Sequence, residues 1–207
     1  MTRKRIEATV AAAWVPDDDP DRPWKDAADA AIEWVGNQSA LHGGPGQLVT
    51  DYKNSCIDEI ADFGRRRTWT SVLSRQRGTG PVLCWQPGIS CAATAVGLAT
   101  NFPIVIVERF DVPLQGWAAR HQAMNLMTGQ LEPPLPLIVE DAVRWLESWS
   151  SQGFKSAASK RRACQALDDL DTDALRLVPG AFLAGGGSAN NSKALGGLNR
   201  WLQQAPR

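Results

Sequence analysis

The sequence predicts an α/β protein, a mostly parallel sheet flanked by helices, followed by a small all-α C-terminal module. Three observations carry that expectation. Residues 104–107 are Ile-Val-Ile-Val, an unbroken β-branched run of the kind found in a strand buried on both faces. A strand at 81–85, a small-residue helix at 89–100 and that run make a compact strand–helix–strand unit of about 27 residues, which joins parallel strands by a right-handed crossover. Beyond Pro133-Pro134-Leu135-Pro136 only helical spacing recurs.

Taken in order, residues 6–15 are apolar and β-compatible up to Pro16. A change of period follows. Trp24, Ala27, Ala28, Ala31, Ile32 and Val35 fall at helical spacing with Asp26, Asp29 and Glu33 between them, predicting a helix that fades near Gly36. Gly43-Gly44-Pro45-Gly46 is a loop. Residues 48–52 read as a short strand. Ser55 is placed to cap a helix carrying Ile57, Ile60 and Phe63, with Asp58 and Glu59 in its first turn and Gly64 at its end. Residues 69–73 alternate as a strand. Residues 114–128 predict a helix with Trp117, Met124 and Met127 on it and Gly129 just past its end.

The proline cluster at 131–136 is a semi-rigid linker. It divides the chain into an α/β domain at 1–130 and a helical module at 137–207. Helices are expected at 137–149, 160–170, 173–183 and 195–202, with a Gly-rich connection at 184–191.

The length, 207 residues, suits one α/β domain with an appendage. Hydrophobic residues at 43% and charged residues at 21% exclude the composition of a disordered chain. The 22 basic and 22 acidic residues cancel, so no whole-molecule attraction to nucleic acid or anionic membrane exists. Neutrality instead favours a protein partner or self-association. No stretch approaches the roughly 18 apolar residues of a membrane span, and the apolar segment after the basic start is too short for a secretory signal. Cys56, Cys84, Cys91 and Cys164 stand singly, without zinc spacing to the two histidines. Reduced thiols and a cytoplasmic location are expected.

Ligands of parallel sheets bind beyond the carboxyl ends of the strands. Those ends carry Asp17, Asp18, Asp19, Asp51, Glu108 and Asp111. Glu108, Asp111 and Asp51 are the candidate catalytic carboxylates, since converging oxygens hold Mg²⁺ for phosphoester chemistry. Pro87-Gly88-Ile89-Ser90 stands at a strand-to-helix junction, which makes Gly88 and Ser90 candidates for anion binding. Cys91 with His121 would be a nucleophile–base pair only if the fold joined them. Two basic clusters, Arg65-Arg66-Arg67 and Lys160-Arg161-Arg162, are candidate phosphate contacts for nucleic acid. Trp145 and Trp149, one helical turn apart, are candidate partner-binding side chains.

Glu108-Arg109-Phe110-Asp111-Val112, after an aliphatic strand, resembles the first motif of toprim domains. That likeness implies a Mg²⁺-dependent phosphoester chemistry served by Glu108. It covers roughly 25 residues. Arg109 stands where the family has Gly, and the Asp-x-Asp counterpart, Asp171-Thr172-Asp173, follows no aliphatic strand. The wider run from Gly80-Pro81-Val82-Leu83-Cys84-Trp85 through Gly116-Trp117-Ala118-Ala119 to Asn125-Leu126-Met127-Thr128-Gly129 is similar to proteins of GC-rich bacteria. In those an α/β part of the Rossmann-like layer type precedes a helical tail; this resemblance, over about 78–202, supports the two-part architecture and implies no activity. The expected function is a non-catalytic interaction or regulatory protein. A metal- or nucleotide-binding α/β protein is the alternative and nucleic-acid binding the weaker one. Magnesium is the one cofactor implied.

Overall fold

The computed structural model describes residues 11–51, 56–65, 69–70, 78–109, 111–150 and 157–185 (the backbone alone at 69–70, 149–150, 157 and 159–160). In chain order these form β1 (Ala12–Val15), α1 (Trp24–His42), β2 (Gln47–Thr50), α2 (Asp58–Arg65), β3 (Trp69–Thr70), β4 (Val82–Trp85) and α3 (Ile89–Leu98). Then come β5 (Ile104–Val107), α4 (Gln115–His121), β6 (Met124–Asn125), α5 (Leu137–Ser150), α6 (Ala157–Leu167) and α7 (Thr172–Ala184). The start of the predicted first strand, the Ser55 cap, the 184–191 connection beyond Gly185 and the last predicted helix lie outside the described residues.

The sheet has the order β3-β2-β4-β5-β1-β6, and every neighbouring pair is parallel. β4 and β5 are buried at all four positions, as continuous apolar runs in a covered parallel sheet must be. Alternate side chains feed two cores. Ala13, Val15, Leu48, Leu83, Trp85, Val105 and Val107 meet α1 and α2. Trp14, Val49, Val82, Cys84, Ile104 and Ile106 meet α3, α4 and the helices that follow the linker. The result is a three-layer α/β structure.

Several boundaries shift, the helix expected at 160–170 being α6 at Ala157–Leu167 among them, and two of the differences have a plain physical cause. α1 runs through Gly36 to His42, because Ala27, Ala28, Ala31 and Val35 are pinned against the sheet and packing outweighs one glycine's propensity. It stops at Gly43, whose φ of 74° is open to glycine and whose N–H donates to the Ser39 carbonyl at 3.0 Å. The helix predicted over 114–128 is corrected: α4 ends at His121, where Gln122 turns left-handed (φ 48°, ψ 44°). Asn125 Oδ1 then accepts from the Met127 N–H at 2.9 Å and the Thr128 N–H at 3.3 Å, the local turn that Asn side chains favour. Met124 and Asn125 consequently form a sixth strand alongside β1.

The segments after the linker share the second core. Val139, Val143 and Leu146 of α5, Ala163 and Leu167 of α6, and Val178, Ala181, Phe182 and Leu183 of α7 are buried in the cluster that contains Trp14 and Ile106. α7 crosses α4 at two glycines. A Cβ on Gly116 would land on the carbonyl oxygen of Leu177, and one on Gly180 would lie 2.6 Å from the Trp117 nitrogen. Backbone therefore meets backbone, and no side chain larger than hydrogen fits. Beside the crossing, Arg120 of α4 ion-pairs with Glu147 of α5, lies 3.4 Å from Glu140 Oε1, and donates to the Ala181 carbonyl at 2.9 Å. One guanidinium thus ties three helices.

Gly116→Ala should lower the unfolding free energy by about 1–3 kcal/mol, since the helices must part or the backbone must strain. Gly36→Ala, at an exposed helical position with nothing within 4 Å of the new Cβ, should raise it by about 0.5–1 kcal/mol. Urea denaturation of the two variants checks both signs.

Candidate functional site

The helices that follow adjacent strands lie on opposite faces at two places. α2 after β2 and α3 after β4 open one crevice at the strand ends; α4 after β5 and α1 after β1 open another. Such switch points are where open α/β sheets place ligands.

The β5–β1 crevice is spanned by Glu108. Its Oε1 accepts from the Leu114 N–H at 2.6 Å and its Oε2 from the Asp17 N–H at 3.1 Å. The carboxylate thus bridges the loop after β1 and the loop after β5. Burial pushes the Glu108 carboxyl above its ordinary range, against the two N–H donors that draw it down, while Asp17 and Asp18 nearby push it up further. Asp18 is paired with Arg22 at 2.6 Å, and Arg22 also donates to the Pro16 carbonyl at 2.7 Å. Asp111 chelates the Arg109 guanidinium, and the hydrogen bonds from that group hold its carboxyl below the usual range.

Asp51 stands at the end of β2, two strands from Glu108 in the sheet order, a separation of roughly 10 Å by strand spacing. Its Oδ2 accepts from the Gly88 N–H at 2.5 Å. Gly88 is the N-cap residue of α3, so the chain's own carboxylate takes the place at which an anion was expected. Ser90 is exposed in the first turn of that helix, its carbonyl accepting from the Thr94 hydroxyl at 3.0 Å. Of the candidate carboxylates, the fold brings Glu108 close to the Asp17–Asp18 loop and keeps Asp51 apart. Among the described residues no three His, Cys, Asp or Glu side chains gather as a metal would need. Asp171 is the N-cap of α7, accepting from the Ala174 N–H at 2.8 Å, so Asp171-Thr172-Asp173 begins a helix rather than ending a strand.

Cys91 is buried at the start of α3 and its thiol is hydrogen-bonded to that of Cys84 on β4; burial first, and then that bond, push the Cys84 thiol well up. His121 ends α4 with its ring centroid 5.1 Å from that of Trp117. Burial, and secondarily the charge of Arg120, hold its imidazole below the ordinary value. Each member of the candidate nucleophile–base pair is thus packed against a different neighbour.

Arg65 ends α2 and pairs with Asp62, while Arg66 and Arg67 lie outside the described residues. Arg161 and Arg162 are exposed on α6. Lys160 belongs to the same helix, its side chain outside the described ones, as is that of Trp149. Trp145 is half-buried and lines a groove of about 440 Å³ between α5 and α6. Ile138, Ala142 and Leu170 complete its apolar floor, with Asp141, Arg162 and Asp169 about the rim.

The sequence held no warning of Gln86, which follows β4 with φ 41° and donates its N–H to the Val107 carbonyl at 3.0 Å. A left-handed residue is signalled by Gly or Asn, and Gln carries neither signal. The groove was half signalled, through Trp145 alone; its α6 wall was not. No protein family, curated protein or solved structure matches this chain. The fold and its sites therefore stand on their own geometry.

Two outcomes follow from this geometry. Asp51→Ala should cost about 1 kcal/mol through loss of the α3 cap, and Asp51→Asn distinctly less because its carbonyl still accepts; urea midpoints of the pair decide it. For His121 the folded value is depressed, so its stability contribution is complete above the unfolded value of about 6.5 and is lost as pH falls through the folded one. The drop in urea midpoint from about pH 7.5 to about pH 5.5 should be smaller in His121→Phe than in the wild type.

Proposed function

We propose that this chain is a non-catalytic interaction protein, and that the groove between α5 and α6 takes an apolar segment of a protein partner. The observation that carries the proposal is the groove itself. Its floor of Ile138, Ala142, Trp145 and Leu170 is apolar and its rim charged, the arrangement of an interface with a desolvated centre and a polar margin. Ile138 is 51% exposed, and Leu137, next to it, 81%. Large aliphatic side chains at that exposure beside a concave apolar floor mark a surface suited to an amphipathic helix.

The strand-end residues support the same reading. Glu108, Asp51, Asp18 and Asp111 are engaged by backbone N–H groups or by arginines of the chain itself. These contacts give the strand-end carboxylates a role in holding the loops, and the reading places the interaction at α5 and α6 instead.

A photo-cross-linker tests the proposal. Gln165→Cys, on the groove wall, is labelled with benzophenone maleimide in a Cys56→Ser, Cys164→Ser background and irradiated in an extract of the native cells. A discrete protein adduct is expected that disappears on adding Ile138→Asp and is missing when the label sits at Asn37→Cys, exposed on α1. Equal labelling at both positions, or adducts indifferent to Ile138→Asp, sinks it.

A further inference from the structure

We infer that Cys84 and Cys91 are a dithiol–disulfide pair, a redox latch that joins the end of β4 to the first turn of α3. The pairing is one of place. Cys84 is the third residue of β4 and Cys91 the third of α3, and α3 packs back onto β4 across the short Gln86-Pro87-Gly88 turn. Both side chains are fully buried in the same core, and the two thiols are hydrogen-bonded to each other. Thiols in contact need only a small closing movement to reach the roughly 2.0 Å of a disulfide bond. The other two cysteines lie elsewhere, Cys56 against the core on the opposite side of the sheet and Cys164 exposed on α6.

The first turn of α3 is the part that can open. Ser90 within it is exposed, and the Gly88 cap offers no side chain of its own. Its start is held across to β2 by the bond from the Gly88 N–H to Asp51 Oδ2. Release of that bond frays the turn and uncovers Cys91, while Cys84, inside the sheet, stays covered. Burial also pushes the Cys84 thiol well up, which leaves Cys91 to react first. The co-reactant is a small-molecule disulfide. Cys91, having given its proton to water, attacks one sulfur of that disulfide, expels a thiolate and becomes a mixed disulfide. As the turn recloses, the Cys84 sulfur attacks the Cys91 sulfur, and its proton passes to the second departing thiolate. Two cysteines are oxidised, one small disulfide is reduced to two thiols, and the turn is fixed to β4. The latch stands at the crevice between β2 and β4, where Asp51 meets Gly88, so oxidation fixes one wall of that crevice and reduction frees it.

Intact-mass spectrometry of the full-length chain in a Cys56→Ser, Cys164→Ser background decides the matter. The folded protein treated with glutathione disulfide should lose about 2 Da, two hydrogens, and regain them in excess dithiothreitol. Hydrogen exchange at the amides of Ser90, Cys91 and Ala92 should slow by about tenfold or more in the oxidised form, because the cross-link suppresses opening of the turn. Cys84→Ala should instead hold one glutathione on Cys91, and Cys91→Ala should stay unmodified, each checked for folding by circular dichroism. A folded chain that keeps both thiols, or forms the bond only in urea, would overturn the inference. So would exchange indifferent to oxidation, or a folded Cys91→Ala variant modified as readily as Cys84→Ala. Should either alanine variant fail to fold, the mass and exchange of the chain with both cysteines still decide.

Discussion

The second half of this chain reaches the sheet through a backbone-to-backbone crossing, and much else depends on how close that crossing is. Gly116 and Gly180 let α4 and α7 touch with no intervening side chain. That closeness lets Trp117, Val178 and Ala181 be fully buried together, and it brings the Ala181 carbonyl within reach of Arg120. Arg120 in turn pairs with Glu147 and so fixes α5. A guanidinium in a half-buried position is costly unless its donors are used, and here two carboxylates and one carbonyl use them. The packing contact and the polar contact are therefore one device: if the helices part, the ion pairs lose their geometry as well.

The carboxyl edge of the sheet is governed by another constraint. Parallel strands end in loops whose backbone N–H groups need acceptors, and here carboxylates supply them. Glu108 serves the loops after β1 and β5, and Asp51 serves the start of α3. Chemistry at a strand end requires a carboxylate with lone pairs directed at a substrate. In this chain the same carboxylates also join the loops after β1 and β5 and hold the start of α3.

How much was legible in the sequence follows from the range of each interaction. The Ile-Val-Ile-Val run of β5, the Gly43-Gly44-Pro45-Gly46 loop and the small-residue helix after β4 are local signals, and the structure follows them. Asn125 was a local signal too, but it was outweighed by the helical spacing of Trp117, Met124 and Met127, and so β6 was missed. The departure lies in the left-handed Gln122, for which the residue type gives no hint. Glu108, Asp51 and Asp111 could be named as strand-end acids. That Glu108 and Asp17 meet while Asp51 lies two strands away is a matter of strand order, and β1 inserting beside β5 rather than β2 leaves no trace in any short window. The Gly116–Gly180 contact joins residues 64 positions apart and was beyond pattern reading altogether.

The same logic explains why the groove falls where it does. α5 carries Val139, Val143 and Leu146 toward the core, fully buried. Ile138, Ala142 and Trp145 flank that stripe, so the apolar arc of α5 is wider than one contact face consumes. α6 packs beside the arc and leaves the floor of the groove between the two helices. A helix with surplus apolar width either loses solubility or uses the surplus in a contact. Asp141, Arg162 and Asp169 resolve the choice by ringing the apolar floor with charge of both signs.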